Sequence, residues 1–411
     1  MSTQSKLSRR TALKAGGAAA VLGLAPWQAA RAQAQKFKFG AVLPMTGPFS
    51  QIGEFLKFAM MAGIAEANRR GGITGREIEL IIRDDAGTPN RALLAAKELV
   101  GDQKVDFLYP EGVSGLALAV IPYATEQKMI TMSNGSSPAI GDAAKFPFSF
   151  QTGDLAIKRV PAMVSAMRKM GATKVGILVS NNPATLALGE RMAADLKPRY
   201  GIDMVGFRQF ASDVKDLTSP LQALRDAGAD FLVFDGAGKD NLRVVMSGLQ
   251  TLGWKVRLLT EPGGHSGDLS EQIPKEQAAQ FFSINYRVAV DTGDGNERVR
   301  AFIARHKEIA PIRNLPFGAT TRDLVFLAKW AFDTAQSKYK QTDSATVKKV
   351  LEEIGSASFP DDYSLVLGNP GFTPQDHTTG NADYSKMWAL MGVSSPVDGI
   401  YKGEALLVTD R

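Results

Sequence analysis

The chain of 411 residues has no cysteine and only three histidines. Without cysteine it cannot form a disulfide bond, a thiolate metal site, a cysteine nucleophile or an acylated lipoprotein anchor. The three histidines lie in unrelated places. His265 is in a predicted loop, His306 in a charged helical stretch where we expect it to be solvated, and His377 in a polar turn. Acid–base chemistry therefore has little imidazole to use.

The short motifs that mark common enzyme sites are also missing. No G-x-S-x-G, H-E-x-x-H or G-x-x-x-x-G-K-[ST] motif occurs,. Gly236-Ala237-Gly238 is not followed by a third glycine at the dinucleotide-binding spacing. Asp84 and Asp85 suggest a metal site, but paired acids at a strand end more often cap a turn or pair with an arginine such as Arg83 or Arg91. We therefore expect no cofactor and no bound metal.

Acidic residues are absent from the first 34 positions, which hold five basic ones: Lys6, Arg9, Arg10, Lys14 and Arg31. A mildly apolar stretch runs from Ala15 to Ala25, and small residues with A-x-A spacing end the segment. This order predicts a signal peptide over residues 1–34. Its removal lowers the net charge from +6 to about +1, so no basic surface indicates nucleic-acid binding,.

Arg9 and Arg10 precede a weakly apolar, glycine-containing segment, which favours a twin-arginine signal,. Ala12 stands where such signals usually have phenylalanine, so the general secretory route stays open. A membrane anchor is the third alternative, but the apolar stretch is well short of the roughly 18 residues that a span needs. We expect an exported, soluble periplasmic protein that is not a lipoprotein.

From Phe37 onward, short apolar runs alternate with segments of helical period,. The first series predicts strands at 37–44, 77–83, 105–109 and 129–133, with helices at 51–70, 89–100 and from 114. The second series predicts strands at 174–180, 204–210, 231–234 and 256–260, with helices at 185–197, 217–227 and 241–252. Two such series predict an α/β protein with two doubly wound parallel-sheet domains.

Ligands of open parallel sheets bind beyond the carboxyl ends of the strands. Here those ends are followed by segments rich in serine, threonine, asparagine and glycine: 44–48, 111–115, 133–137, 180–182, 235–238 and 260–265. Several lead into helices, whose free N–H groups attract a carboxylate or another compact acceptor. Any one segment could be simple helix capping, but their shared edge favours a ligand site.

Four segments are similar to those of a known family and occur in the same order: FKFGAVLPMTGP at 37–48, EANRRGGITGREIEL at 66–80, DDAG at 84–87 and AGADF at 227–231. Together they resemble the leucine/isoleucine/valine-binding protein family, the type I periplasmic binding proteins of ABC importers. The resemblance extends over about residues 36–400. It implies two lobes joined by a hinge that closes on a ligand.

In this family's arrangement the N-lobe would comprise residues 36–153 and 286–360. The C-lobe would comprise residues 154–285 and 361–411. The returning segment accounts for residues 296–355, whose pattern is almost wholly helical and which the strand–helix alternation leaves unplaced.

The resemblance also implies ligand contacts at positions whose local motifs match. Ser114 corresponds to the first ligand-binding serine, and Asn134 with Ser136 to the pair that binds the ligand carboxylate. Asp154 corresponds to a ligand position near the first hinge crossing. Glu261 corresponds to the acid that holds an ammonium group, although a shift of one residue would place a proline there.

Two aromatic contacts of the family are absent. One position holds Leu186, and the other falls on Ala237 or Gly238. Their loss weakens the case for an α-amino acid, and we hypothesise an aromatic carboxylate or an amide as ligand instead.

The leading interpretation is a receptor for a small polar solute that serves the membrane permease of an ABC importer and works as a monomer. One alternative is a sensory module that signals through a separate membrane partner. The other is an exported α/β enzyme, which the missing triad, metal cluster and phosphate loop argue against, because a fold alone supplies no chemistry.

Overall fold

The computed structural model describes residues 35–236, 240–262, 269–293, 297–312, 314–356 and 359–408. The predicted signal peptide, Ala237, Gly238 and His265 lie outside these residues. The strands are β1 Phe37–Leu43, β2 Ile78–Asp84, β3 Phe107–Tyr109, β4 Thr131–Ser133, β5 Ser149–Gln151, β6 Lys174–Ser180, β7 Asp203–Phe210, β8 Phe231–Asp235, β9 Arg257–Thr260, β10 Phe281–Tyr286, β11 Val290–Asp291, β12 Trp388–Met391 and β13 Tyr401–Ala405. The helices are α1 Ser50–Arg69, α2 Pro89–Lys97, α3 Ser114–Glu126, α4 Val160–Lys169, α5 Pro183–Tyr200, α6 Thr218–Asp226, α7 Asn241–Thr251, α8 Leu269–Gln272, α9 Glu297–Lys307, α10 Leu315–Thr334 and α11 Ser344–Glu352.

The first sheet is parallel throughout, with strand order β2-β1-β3-β4-β5. Its interior strand β1 is almost wholly buried because helices cover both faces,. One face packs on α1 together with α10 and α11, whose apolar residues join Phe37 and Phe39 in a single core. Residues far apart in the sequence therefore complete this half of the molecule.

A buried acid fastens the returning helix α10 to α1. Glu66 of α1 accepts from Arg322 of α10 at 3.0 Å, and it also pairs with Arg70 at 2.7 Å and Arg305 at 2.8 Å. Burial opposes the charge on Glu66, but Arg322 and Arg305 hold its pKa below the usual value. The carboxylate thus stays ionised where α1, α9 and α10 meet.

The second sheet has strand order β11-β13-β12-β10-β9-β8-β6-β7. Strands β6 to β10 run parallel, whereas β12 is antiparallel to both β10 and β13. The parallel part agrees with the predicted doubly wound pattern. The antiparallel edge was not predicted, because its strands are short and lie among turn residues.

The chain passes between the two halves of the fold three times: after β5, after β11 and again before β12. The first and third passages are bonded to each other. Thr379 Oγ1 lies 3.0 Å from Gln151 Oε1, and Tyr384 OH accepts from Leu155 N at 2.8 Å. These contacts fix the first passage at its exit from β5.

Two histidines differ from expectation. The expected solvation of His306 is wrong: the side chain is 4% exposed, because Val299, Phe302, Ile303 and His306 form the apolar face of α9. His377 is also fully buried, where it stacks on Phe150 and its Nε2 lies 3.1 Å from Glu352. Burial lowers the pKa of both imidazoles, so they stay neutral and structural.

Across the residues described, no helix combines the length and apolar character needed to cross a bilayer.

The paired glycines after α1 supply a test of the turn geometry. Gly72 has φ +69°, and a Cβ there would lie 1.9 Å from the carbonyl oxygen of Arg76, whereas Gly71 has φ +90° with open space around it. We expect Gly71→Ala to lower the free energy of unfolding by about 1–2 kcal/mol and Gly72→Ala by more than about 3 kcal/mol, since only the second adds a clash to the left-handed strain. Urea unfolding measures both, and equal losses would contradict the turn described here.

Candidate functional site

The carboxyl ends of the two sheets face each other across an interface formed by helix N-termini. Helix α3 begins at Ser114 and α5 follows its cap Asn182, whose Oδ1 accepts from Ala184 N at 3.0 Å. A methyl group on Gly115 would lie 3.5 Å from Cδ of Pro183, so the two helix starts are in contact. Positive helix ends from both sheets therefore point into one region.

The residues predicted from β3 and β4 have different surroundings. Ser114 is buried, and its hydroxyl accepts from the backbone N–H of Ser137 at 3.2 Å. The amide of Asn134 is occupied by protein groups, since its Oδ1 accepts from Tyr109 at 2.5 Å and its Nδ2 donates to Thr321 at 3.1 Å. Ser136 is half-buried, and its hydroxyl faces the second sheet.

One arginine binds the remaining predicted residues together. Arg159 ends the short 3₁₀ turn that precedes α4 and is 5% exposed. Its Nε lies 2.5 Å from Asp154 Oδ2, and its Nη2 lies 2.9 Å from Asp154 Oδ1 and 2.7 Å from Ser136 Oγ. Its Nη1 donates to Glu261. Burial opposes this charge, but Asp154 and Glu261 keep the pKa of Arg159 well above its usual value.

Two more buried groups surround this ion network. Tyr286 of β10 donates its hydroxyl to Asp154, and burial together with that carboxylate raises the pKa of the phenol well above its usual value. Asp235 ends the apolar strand β8 beside Glu261, and burial and this neighbour raise the pKa of Asp235 well above its usual value. The buried position of Asp235 therefore favours its protonated form.

The structure thus brings three of the five predicted residues, Ser136, Asp154 and Glu261, onto Arg159. Ser114 is connected to this group through the Ser136–Ser137 segment, whereas the Asn134 side chain turns into the first sheet's own packing. Sequence reasoning missed Arg159, Asp235 and Tyr286. An acid directly after a fully apolar strand was a usable signal for Asp235, but the sequence around Arg159 resembles any basic helix start.

The comparison with known proteins bears on this arrangement. The sequence profile described as "Periplasmic binding protein" matches residues 36–390. The chain belongs to the periplasmic binding protein family. This confirms the family predicted from the N-terminal segments, which lie within the matched range.

Curated relatives of this family member are distant. The Leu/Ile/Val-binding protein homolog 3 of Brucella melitensis is 25% identical over 198 residues, which are 48% of this chain and 53% of that protein. The alignments to the first three such relatives span 53%, 25% and 62% of the length of those proteins. They support the family without extending a named activity to this chain.

Solved structures match over the whole fold. The branched-chain amino acid transporter substrate-binding protein of Streptococcus pneumoniae, in complex with isoleucine, has a TM-score of 0.71 at 18% identity, covering 91% of this chain and 100% of that one. An ABC transporter solute-binding protein of R. palustris, in complex with benzoate, has a TM-score of 0.70 at 18% identity, covering 90% and 96%. These similarities confirm the predicted two-sheet α/β fold.

A second acidic pair lies behind the site in this periplasmic binding protein. Asp85 follows β2 and Glu111 follows β3, and both are fully buried. Asp85 Oδ1 accepts from Gly87 N at 2.7 Å and Glu111 accepts from Val113 N, while one oxygen of each carboxyl has no hydrogen-bond partner. Arg83, which the sequence offered as a partner for Asp84 or Asp85, pairs with Glu98 instead. Within the described part of the chain, no group of three or more potential metal ligands occurs.

The pKa values of Asp85 and its neighbour Asp84 are shifted in opposite directions. Burial, with a smaller contribution from Asp84, raises the pKa of Asp85 from 3.8 to about 6. Hydrogen bonds from Thr46 and Ala86 outweigh burial at Asp84 and lower its pKa. The folded state therefore holds the Asp85 proton more tightly than the unfolded state does, and the Asp84 proton less tightly.

We therefore expect the folded protein to lose stability as pH rises from 3.8 towards 6, because Asp85 must ionise while buried. Asp85→Asn removes this loss and should raise the free energy of unfolding at pH 8 by up to about 3 kcal/mol, with little gain at pH 4. The matched control Asp84→Asn should lower stability at pH 8. Urea unfolding across this pH range measures both, and a pH-independent effect of Asp85→Asn would contradict the argument.

Proposed function

We propose that this protein is a periplasmic substrate-binding protein that captures a small polar organic solute and delivers it to the permease of an ABC importer. The proposal rests on one observation: a buried polar cluster, centred on Arg159, joins the carboxyl ends of two sheets in a periplasmic binding protein. Sites with few converging polar groups at such edges bind small molecules.

The proposal includes the two lobes and their hinge. The N-lobe is residues 36–153 with 286–360, and the C-lobe is residues 154–285 with 361–411. The separate cores of the two sheets and the three passages between them support this division. Bending at the passages would open the region around Arg159 to solvent and close it again on a solute.

Ligand contacts are proposed for Ser114, Ser136, Asp154 and Glu261. Ser136 and the N-terminus of α3 belong to the N-lobe side, and Glu261 belongs to the C-lobe side. Asn134 stays a candidate through its main chain, since its side-chain amide is already bonded to Tyr109 and Thr321.

We further propose that the protein is not an enzyme and acts as a monomer in the periplasm. His306 and His377 are buried in structural contacts, which leaves neither free for acid–base work. The signal peptide over residues 1–34 and the twin-arginine route remain predictions, and the absence of cysteine argues against a lipid anchor.

The test is recovery of a solute from native protein. We expect the chain from Gln35, purified without denaturation, to release a small organic molecule when unfolded. Returning that molecule at about 1,000 times its dissociation constant should stabilise the refolded protein by roughly 4 kcal/mol in a thermal unfolding experiment.

Import into membrane vesicles containing the cognate permease and ATPase should then depend on the purified protein. Binding without any stimulation of import would favour the sensory alternative. Chemical turnover of the recovered molecule would overturn the assignment as a binding protein.

A further inference from the structure

Most ligand-contact residues of the proposed site already bond to a cation of the chain itself. Ser136, Asp154 and Glu261 each bond to Arg159, and Asp154 uses both of its oxygens to do so. In the family resembled by the sequence, the acid at the position of Glu261 holds the ammonium group of the ligand. Here the guanidinium of Arg159 already bonds to that acid.

We propose that Arg159 excludes solutes with a free ammonium group and selects a neutral solute that carries a primary amide or urea group. This inference rests on the proposed function. It names the solute class for the same site and makes Arg159 the specificity-determining residue.

Exclusion of ammonium follows from burial. Arg159 and its two acids are 5% exposed or less, so an ammonium ligand must displace the guanidinium to reach either acid. Removing one partner of a buried ion pair leaves the other charge uncompensated in a poorly solvated place, which is strongly unfavourable. A solute ammonium group therefore competes against a cation that is covalently held in position.

Exclusion of carboxylate follows from the charge of the network. Arg159 carries one positive charge against the two negative charges of Asp154 and Glu261. Burial and Glu261 raise the pKa of Asp235, which favours its uncharged form. The cluster is therefore net negative, and a buried ligand carboxylate would add a second uncompensated charge.

The unused hydrogen-bonding capacity of the cluster fits an amide. The guanidinium has five N–H groups, and four of them bond to Asp154, Ser136 and Glu261. Among the residues that the structure describes, neither oxygen of Asp235 accepts a hydrogen bond. One N–H donor of Arg159 and the carbonyl oxygen of an uncharged Asp235 remain, which match the carbonyl and the NH₂ group of an amide without changing the charge.

The test uses two sets of compounds, each on one carbon skeleton, whose members differ in the polar groups they carry. One set is 4-methylpentanamide, 4-methylpentanoate and leucine, and the other is benzamide, benzoate and benzylamine, with urea and acetamide added as minimal probes. Calorimetric titration of the stripped chain from Gln35 gives each dissociation constant. We expect each amide to bind at least about 10-fold more tightly than its carboxylate and about 100-fold more tightly than its ammonium compound.

Substitution of Arg159 tests the cause of this preference. Arg159→Met frees Asp154 and Glu261, so leucine and benzylamine should gain at least about 10-fold in affinity while the amides lose. Arg159→Lys keeps a cation without the planar fork and should weaken the amides without helping the ammonium compounds. The control Arg168→Met, on the exposed side of α4, should leave the ranking unchanged.

The outcomes separate this inference from the proposed function. Tightest binding by leucine, benzylamine or a carboxylate overturns the amide assignment and leaves a solute-binding protein. If no amide and no urea binds while the solute recovered from native protein still does, the amide assignment is also overturned. Failure of the recovered solute to bind would instead count against the proposed function itself. Unchanged amide affinities in Arg159→Lys, or no gain by leucine and benzylamine in Arg159→Met, would show that Arg159 does not set the specificity.

Discussion

The buried ion network of Arg159 is the contact on which the relation between the two sheets depends. The guanidinium touches Ser136 from the first sheet, Asp154 from the first passage and Glu261 from the second sheet. Taking three charges out of water is costly, and close pairing with additional hydrogen bonds offsets that cost only when the geometry is good. Such a network stabilises one relative placement of the sheets and opposes others.

The alternation of apolar runs and helical periods was sufficient to predict most of the fold. Predicted strands and helices between Phe37 and Thr260 agree with the structure to within a few residues, because most of these strands are buried and their helices are amphipathic,. The short strands β5 and β10 to β13 were missed. They have two to six residues each, and local patterns over so few residues do not separate a strand from a loop.

The candidate site was only partly predictable, for a physical reason. Serines and acids at strand ends lie where chain topology alone places them, so Ser136 and Glu261 could be proposed from position. Arg159 could not, because an arginine in a helix start is normally solvated and only the tertiary structure buries it against two acids. His306 shows the same limit, since its charged neighbours conceal an apolar face that becomes evident only when α9 is packed.

The repeated passage of the chain between the sheets also determines how the protein can be divided. Helices α10 and α11 complete the core beneath β1, and β12 lies between β10 and β13, so each core combines segments that are far apart in the chain. A single cut at the middle passage, after β11, leaves two fragments that each lack part of a core, because it parts α10 and α11 from β1 and parts β12 from β10. These two fragments would have to associate while folding. The two cores are thus spatial units that no single cut separates, and each can close only after a distant later segment of the chain has been synthesised.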